Sequence, residues 1–447
     1  MQLPAHILSC ITALEKASYP TYAVGGCVRD WLLGLTPHDY DLCTAATPEQ
    51  IQAVFSGEQL LLHGVKHGTV GVVIRGEVVE ITTFRTEGNY ADNRHPDWVA
   101  FVTDIKDDLA RRDFTINAMA YSPTRGFADP FGGRDDLRAQ QIRAVGDPDK
   151  RFQEDALRIL RCLRFAARYG FSIEENTANA MHRQLELTDK LAAERVFDEL
   201  CKLLLTDGLD ILWRYPAIFA HLIPELAPAV GFDQHSPHHA YDLYSHIVRV
   251  TAATPGELPL RWAALLHDVG KIPTFTQDAT GRGHFYGHAK ESAAMADTVL
   301  RRMKAPTALR ERVLWLIENH MTPLEPDKKL LRRRISHSSV DAIRTLIDLH
   351  EADMGSKGTG GEDKHPHFET LRRLVSEIEV ENACLSLKDL AIDGSDLIAL
   401  GHTPGKAFSA CLGHLLDRVL SEQLPNEPDA LLTAAKAYFS TLPEETP

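Results

Sequence analysis

The hydrophobic rhythm of this chain changes once along its length, and that change limits the folds open to it. Between residues 20 and 120, short β-rich runs alternate with glycine and charged turns: Tyr22-Ala-Val, Gly71-Val-Val-Ile, Val78-Val-Glu-Ile-Thr-Thr-Phe and Trp98-Val-Ala-Phe-Val. From about Asp155 the pattern is helical almost without interruption. The expectation is an α+β head followed by an all-α remainder. With 447 residues there is room for roughly two to four domains of about 150 residues. Turn-rich stretches at Asp129-Pro-Phe-Gly-Gly, Gly231 to His239 and Gly355-Ser-Lys-Gly-Thr-Gly-Gly suggest the breaks. They divide the chain into a head (1–140), a helical neck (141–230), a histidine-rich module (231–355) and a helical tail (356–447).

Composition narrows the class. Hydrophobic residues are 44% and charged residues 25%, which excludes global disorder and a collagenous chain. The N-terminus lacks a basic segment followed by an apolar run, and no stretch approaches the ~18 apolar residues of a membrane span. Seven scattered cysteines form no Cys-x-x-Cys pair, so neither a zinc ribbon nor a disulfide framework is expected, and the cytoplasm is the default compartment. A net charge of −14 excludes an indiscriminate basic coat for nucleic acid. It leaves room for local basic stripes: residues 138 to 168 hold eight Lys/Arg against four Asp/Glu, and residues 301 to 334 hold ten against four. The sequence carries no signal for an oligomeric state.

In the head, Tyr22-Ala-Val-Gly25-Gly26-Cys-Val-Arg29-Asp30 reads as a strand, a Gly-Gly turn and a helix start. Glycine lets the backbone approach a ligand closely, helix-start N–H groups favour anions, and Arg29 offers a fork suited to phosphate. Gly-Gly turns are also common in proteins that bind nothing. Nine residues past Asp30 comes Asp39-Tyr-Asp41. In a strand, residues two apart face one side, and two like charges there favour an intervening cation such as Mg²⁺. Glu80, in Val79-Glu80-Ile81-Thr82, is the candidate third acid of a two-metal site, or else an edge-strand charge.

These motifs, with Arg111-Arg112-Asp113-Phe-Thr-Ile-Asn117, Asp129-Pro-Phe-Gly-Gly-Arg134-Asp-Asp-Leu, Glu154-Asp155-Ala-Leu-Arg158 and Glu194-Arg195-Val, resemble the bacterial class II tRNA nucleotidyltransferases, the CCA-adding enzymes of the polymerase-β-type superfamily. The resemblance spans about residues 20 to 205 in family order. It implies addition of CCA to the tRNA 3′ end from CTP and ATP, with two Mg²⁺ ions at Asp39 and Asp41. It also implies nucleotide contacts from Gly26, Arg29, Arg112, Asp113, Asn117 and Arg161. On a helical wheel Glu154, Arg158, Arg161 and Arg168 share a face with Asp155 at its margin. That is also the pattern of an ordinary salt-bridged helix. Cytosine and adenine both present an amino donor beside a ring-nitrogen acceptor. A carboxylate next to an arginine selects them over uracil and guanine. The resemblance assigns this role to Asp155 and Arg158, with Glu154 orienting Arg158. The segment Thr83 to Pro96 reads as irregular and is similar to the family's flexible loop, which adding the terminal A requires. Position 95 is His where a second Arg is expected.

A second constellation lies downstream: His246, then Leu266-His267-Asp268-Val-Gly270-Lys271, His284, His288, His320 and Asp353. This looks like the HD phosphohydrolase superfamily. The assignment is His246, His267, Asp268 and Asp353 for one ion and His288 and His320 for another. The mixed N/O donors suit Mn, Fe, Co or Ni as well as Mg. The implied chemistry is metal-activated water attacking a phosphoester such as a 2′,3′-cyclic phosphate. The tail, with Asp393-Gly394-Ser395-Asp396 and Gly401-His-Thr-Pro404, reads as capped helices and resembles the family's tRNA-elbow contact. Competing readings are a poly(A) polymerase, which usually ends in a basic extension, an A-only adder, and an HD phosphohydrolase or ppGpp-type sensor with an inert head.

Overall fold

The structure is a computed structural model that describes residues 1–88, 99–237, 239–358, 365–381 and 384–441. The chain forms two compact units. One comprises residues 1–227 with 301–305, and the other holds the remaining residues.

The first unit carries strands β1 Thr21–Val24, β2 Asp41–Thr44, β3 Gln59–Leu61, β4 Thr69–Ile74, β5 Glu77–Thr83, β6 Arg85–Glu87, β7 Val99–Phe101, β8 Ala120–Ser122 and β9 Gly126–Ala128. Seven of them make one sheet in the order β3-β4-β5-β2-β1-β8-β9, while β6 and β7 pair separately. Within that sheet only β2 and β5 run parallel, the other neighbours being antiparallel; the two-residue strands β10 Gln141–Ile142 and β11 Ser172–Ile173 form a separate parallel pair. Strand β5 shows why one face is covered. Val79, Ile81 and Thr83 are buried, whereas Glu77, Val78 and Glu80 are exposed, the period of two that a half-buried strand requires. Tyr22, Val24, Cys43, Phe84, Leu109, Ala120 and Val145 fill one core cluster of this unit.

Its helices are α1 Ala5–Lys16, α2 Gly26–Leu32, α3 Pro48–Val54, α4 Ile105–Ala110, α5 Gly133–Arg138, α6 Pro148–Glu154, α7 Leu157–Tyr169, α8 Glu175–Arg183, α9 Ala193–Leu204, α10 Asp210–Arg214 and α11 Pro216–Leu222. The second unit is helical: α12 Leu243–Ala253, α13 Leu258–Leu266, α14 His288–Arg302 (whose last two residues group with the first unit), α15 Thr307–Asn319, α16 Lys328–Ser336, α17 Val340–Gly355, α18 His365–Val380, α19 Gly394–Ala399, α20 Lys406–Leu420 and α21 Pro428–Ser440. A short hairpin, β12 Thr276–Gln277 with β13 Gly283–His284, interrupts them. The α+β head and the helical remainder are those the hydrophobic rhythm implies.

Three local expectations are corrected. Strand β2 begins at Asp41, so strand alternation does not govern Asp39. The neck is not one helix through Asp155. That residue is extended (φ −146°, ψ 104°) and its Oδ1 accepts from Leu157 N at 3.0 Å, so the carboxylate starts α7 instead of riding on it. The segment Thr83 to Pro96 is regular at its near end, because Arg85–Glu87 forms β6; its residues 89 to 96, His95 among them, lie outside the described residues. The turn-rich Asp129-Pro-Phe-Gly-Gly is a packed cap. Asp129 accepts from Gly133 N and Arg134 N at 2.7 and 2.9 Å, and a Cβ on Gly133 would lie 2.2 Å from the Thr115 carbonyl oxygen.

Candidate active sites

The head site grows from sheet register. Val24 pairs with Asp41, so the Gly25 turn that follows β1 lies at the end where β2 begins. Leu42 pairs in parallel with Ile81, which makes Asp41 and Glu80 lateral neighbours on one face. Asp39, Asp41 and Glu80 are all solvent-exposed. Partial desolvation by the surrounding protein is the main influence raising the Asp41 carboxyl, the Arg112 guanidinium opposes it, and the Asp39 charge adds a smaller upward push. A carboxylate pair that repels in this way is what a hard cation would relieve.

Gly25 is left-handed (φ +72°, ψ −123°), and a Cβ there would sit 2.8 Å from Arg112 Nη1. The missing side chain is therefore what lets Arg112 lie over the turn. Arg112 reaches Asp108 Oδ2 at 3.4 Å, while its buried Nε makes no hydrogen bond. Asp108, which the sequence reading passed over, is fully buried. It also accepts from Arg111 Nε and Nη2 at 3.0 and 2.8 Å and so anchors both arginines. Its signal was faint, an acid three and four residues ahead of an Arg pair that follows the end of α4.

The remaining charged groups of the head and neck are engaged with one another. Arg29 is buried. Its Nε and Nη2 meet Asp30 at 2.8 and 2.7 Å, Nη1 donates to Asn117 Oδ1, and the guanidinium lies 5.0 Å from the Tyr169 ring centre and 5.3 Å from that of Phe165. It turns inward, so the open phosphate fork expected from the sequence is not present. Asn117 Nδ2 donates to Asp113 Oδ1 at 2.9 Å, and Arg161 Nε and Nη2 donate to Asp113 Oδ2 at 2.9 and 2.7 Å. Burial works against ionising Asp113, but the Arg161 charge and the bonds from Asn117 and Arg161 hold it down at about 2.

Arg158 Nη1 donates to Glu154 and to the Arg151 carbonyl, and Nη2 to the Arg111 carbonyl at 3.1 Å. These bonds occupy three of the five N–H groups of a guanidinium. Asp155 Oδ2 accepts from Arg195 at 3.0 Å. Arg195 stood in the motif Glu194-Arg195-Val without a role; its partner is 40 residues away, which no local pattern reveals. Gly26, the first residue of α2, follows the turn.

In the second unit the structure brings six predicted residues to one place. His246 comes from α12, His267 and Asp268 from the end of α13, His288 from the start of α14, His320 from the end of α15 and Asp353 from α17. His246 Nε2 lies 3.4 Å from Asp268 and 3.1 Å from Asp353, and His267 Nε2 lies 3.3 Å from Asp268. On the other oxygen of Asp268, His288 and His320 approach to 3.3 and 3.7 Å, with 3.2 Å between their own Nε2 atoms. The donor atoms form two overlapping triads, His246-His267-Asp268 and Asp268-His288-His320.

Each ring is oriented from behind. Nδ1 of His267, His288 and His320 meets a backbone carbonyl at 2.8, 2.8 and 2.6 Å, which directs Nε2 and its lone pair inward. Nε2 of His246 and His267 and Oδ2 of Asp268 are buried without a well-aligned hydrogen bond. Orphaned inward-facing nitrogens around a carboxylate fit a divalent cation. Burial opposes ionisation of Asp268, yet the neighbouring His267 and the Lys271 ammonium, 2.6 Å away, keep it well below the usual range. His239 and His350, not singled out in the sequence, flank the cluster. Burial, aided by Lys271 and His246, depresses His239 to about 3, and burial depresses His350 to about 4.

The second basic stripe is largely self-neutralised. On α16, Lys328 pairs with Glu381 at 2.5 Å, Arg332 with Glu422 and Glu381 at 2.6 and 2.9 Å, and Arg333 with Asp417 at 3.1 Å. None of the seven cysteines is in a disulfide, and among the described residues no helix is long and apolar enough to cross a membrane.

Comparison with known proteins agrees with this layout. Residues 21–143 match the poly A polymerase head domain, 170–230 the probable RNA and SrmB-binding site of polymerase A, and 243–353 the HD domain. The CCA-adding enzyme of Latilactobacillus sakei is 33% identical over 435 residues, covering 97% of this chain and 98% of that protein. That of Leuconostoc mesenteroides is 32% identical over 447 residues, covering 98% of each. The crystal structure of the Bacillus stearothermophilus CCA-adding enzyme in complex with CTP superposes with a TM-score of 0.72 at 28% identity, covering 99% of each chain. Both domain types imply a divalent metal. With relatives matched end to end at this identity, the chain belongs to the CCA-adding enzyme family.

Proposed function

We infer that this chain adds CCA to the 3′ end of tRNA from CTP and ATP. The observation that carries the reading is the juxtaposition of Asp41 and Glu80 with the Gly25 turn and the overlying Arg112. Two exposed carboxylates and a partly unpaired guanidinium beside a bare glycine turn are the groups that binding a nucleoside triphosphate calls for. Asp39 and Asp41 would hold Mg²⁺ with Glu80 alongside, which when bound would neutralise the triphosphate and favour the ionised tRNA 3′-hydroxyl. Arg112 supplies charge to the phosphates, and the bare Gly25 backbone permits close approach. Asp155 accepts from the amino group of cytosine or adenine, and Arg158 donates to the ring nitrogen through N–H groups its protein partners leave over. Arg29, Asp113, Asn117 and Arg161 act one step back: their mutual bonds hold the turn, the phosphate arginines and α7 in register.

Purified protein given tRNA ending at the discriminator base, at C or at CC, with each nucleotide alone and both together, tests this. Stepwise growth to CCA and no further is the expected result. Long A tracts would instead indicate a poly(A) polymerase, and extension of the CC substrate alone an A-only enzyme. Arg158→Ala should lose discrimination between C or A and U or G.

The reading extends to the other parts of the chain. The HD cluster would hold one ion at His246, His267, Asp268 and Asp353 and a second at Asp268, His288 and His320, with Mn, Co or Ni suited to so many imidazoles. Such ions would supply an activated water for hydrolysis of a 2′,3′-cyclic phosphate or 2′-nucleotide. Loss of one ion and of hydrolysis (ring opening of the cyclic phosphate, phosphate release from the 2′-nucleotide) in His267→Ala while CCA addition survives tests that activity. The four-part division into head, neck, HD module and tRNA-binding tail, and residence in the cytoplasm, complete the proposal. Cysteines held outside disulfides suit a reducing compartment.

A further inference from the structure

Beside the HD cluster lies a feature that its metal ligands do not explain. Tyr286 is 79% exposed, a large aromatic ring left in water only two residues before His288. It is not a loose surface side chain. Its ring is parallel to that of His284 to within 5°, with centroids 5.4 Å apart, and its hydroxyl lies 3.4 Å from His284 Nδ1. His284 Nε2 is fixed in turn at 2.9 Å by Asp278. Asp278 is held by the Thr280 hydroxyl at 2.6 Å and by the backbone N–H groups of Thr280 and Arg282 at 2.8 and 3.1 Å. The β12–β13 hairpin thus serves as a rigid backing for one exposed ring.

The same segment is tied to the metal ligands. The Phe285 carbonyl orients His288 through Nδ1 at 2.8 Å, and the Phe285 ring lies 5.3 Å from Lys271 Nζ, which contacts Asp268. Phe285 therefore lies against the cluster, and Tyr286 is its exposed chain neighbour, two residues from the ligand His288. A left-handed Gly287 (φ +78°) then turns the chain into α14. An immobilised, outward-facing aromatic ring beside a phosphoester site is what stacks a nucleobase, since every base offers a π-face and little ordering entropy remains to be lost.

We propose that the Tyr286–His284 pair is the base-binding platform of the HD site, so that its substrates are nucleotides or RNA ends and not phosphoesters in general. The proposal rests on the phosphohydrolase reading above, and the experiment keeps the two apart. Metal-loaded wild type and Tyr286→Ala would be compared on three substrates: a 2′,3′-cyclic mononucleotide, an RNA oligomer ending in a 2′,3′-cyclic phosphate, and bis(p-nitrophenyl) phosphate, which has no base. The ratio of kcat/KM for the nucleotide to that for the base-free ester should fall by about 5- to 100-fold in Tyr286→Ala, the range of one lost stacking contact. The loss should appear in KM and not in kcat, and Tyr286→Phe should restore it. A preference for the RNA arm over the mononucleotide would identify the RNA end as the ligand. Independently of hydrolysis, Tyr286→Trp should show indole fluorescence that 2′-AMP quenches saturably. An unchanged ratio with no quenching overturns the platform. Absence of hydrolysis of any substrate by wild type, with quenching retained, overturns the phosphohydrolase reading alone.

Discussion

Replacing Asp113 by asparagine tests the charged web of the head and neck at its most enclosed point. Four N–H donors converge on this carboxylate: Arg161 Nε and Nη2 at 2.9 and 2.7 Å, Asn117 Nδ2 at 2.9 Å and Phe114 N at 2.8 Å. The substitution keeps shape and volume and removes the charge, so no cavity term enters. Against burial, Arg161 and Asn117 bring the carboxyl from 3.8 to about 2. At about 1.36 kcal/mol per pH unit this fall is worth on the order of 2 kcal/mol. A carboxyl depressed on folding adds stability that is full above its unfolded value and is lost as pH falls through the folded one. The gap between wild type and Asp113→Asn should therefore be about 2 kcal/mol at neutral pH and narrow as pH drops below about 4 toward 2. Native-state hydrogen exchange of the α7 amides reads the first unit separately from the second. A double-mutant cycle with Arg161→Gln should return a coupling of at least ~1 kcal/mol. A gap that stays constant down to pH 3, or a coupling near zero, would refute the assignment of this charge pair.

Three further outcomes are expected. Gly25→Ala should weaken equilibrium binding of ATP, because it adds about 1–3 kcal/mol of backbone strain at φ +72° and pushes Arg112 off the turn; an unaltered ATP affinity contradicts that geometry. Asp268→Ala should empty both HD positions, because its two oxygens face different triads, whereas His320→Ala should lose one ion; elemental analysis giving equal loss in both variants would show that the carboxylate is not shared. Arg332→Ala should leave the salt dependence of tRNA binding unchanged, since Glu381 and Glu422 already engage this arginine. A fall of about one in the slope of log affinity against log salt would mean that it contacts phosphate.

Legibility differed between the two sites for a physical reason. The HD residues could be read because a metal site demands particular donor atoms, and His-Asp with satellite histidines is rare by chance. The head motifs were legible in kind but not in use. Arg29, expected at a phosphate, is closed off by Asp30, Asn117 and two aromatic rings, and Asp155 lies outside the helix that was to carry it. Whether an arginine is available depends on which carboxylates reach it, and those arrive from far along the chain. Arg161 finds Asp113 across 48 residues and Arg195 finds Asp155 across 40.

Composition and spacing by themselves determined the α+β head, the helical remainder and the two constellations, because hydrophobic period and ligand chemistry are local properties of a sequence. They also indicated that a net charge of −14 does not forbid an RNA partner, since local stripes of Lys and Arg remain. Only tertiary structure decided which of those cations stay free. The stripe at α16 is matched by Glu381, Asp417 and Glu422, which lie far downstream in the chain. Charge pairing is set by distance in space and falls steeply with it, so residue spacing could count the charges but not assign them.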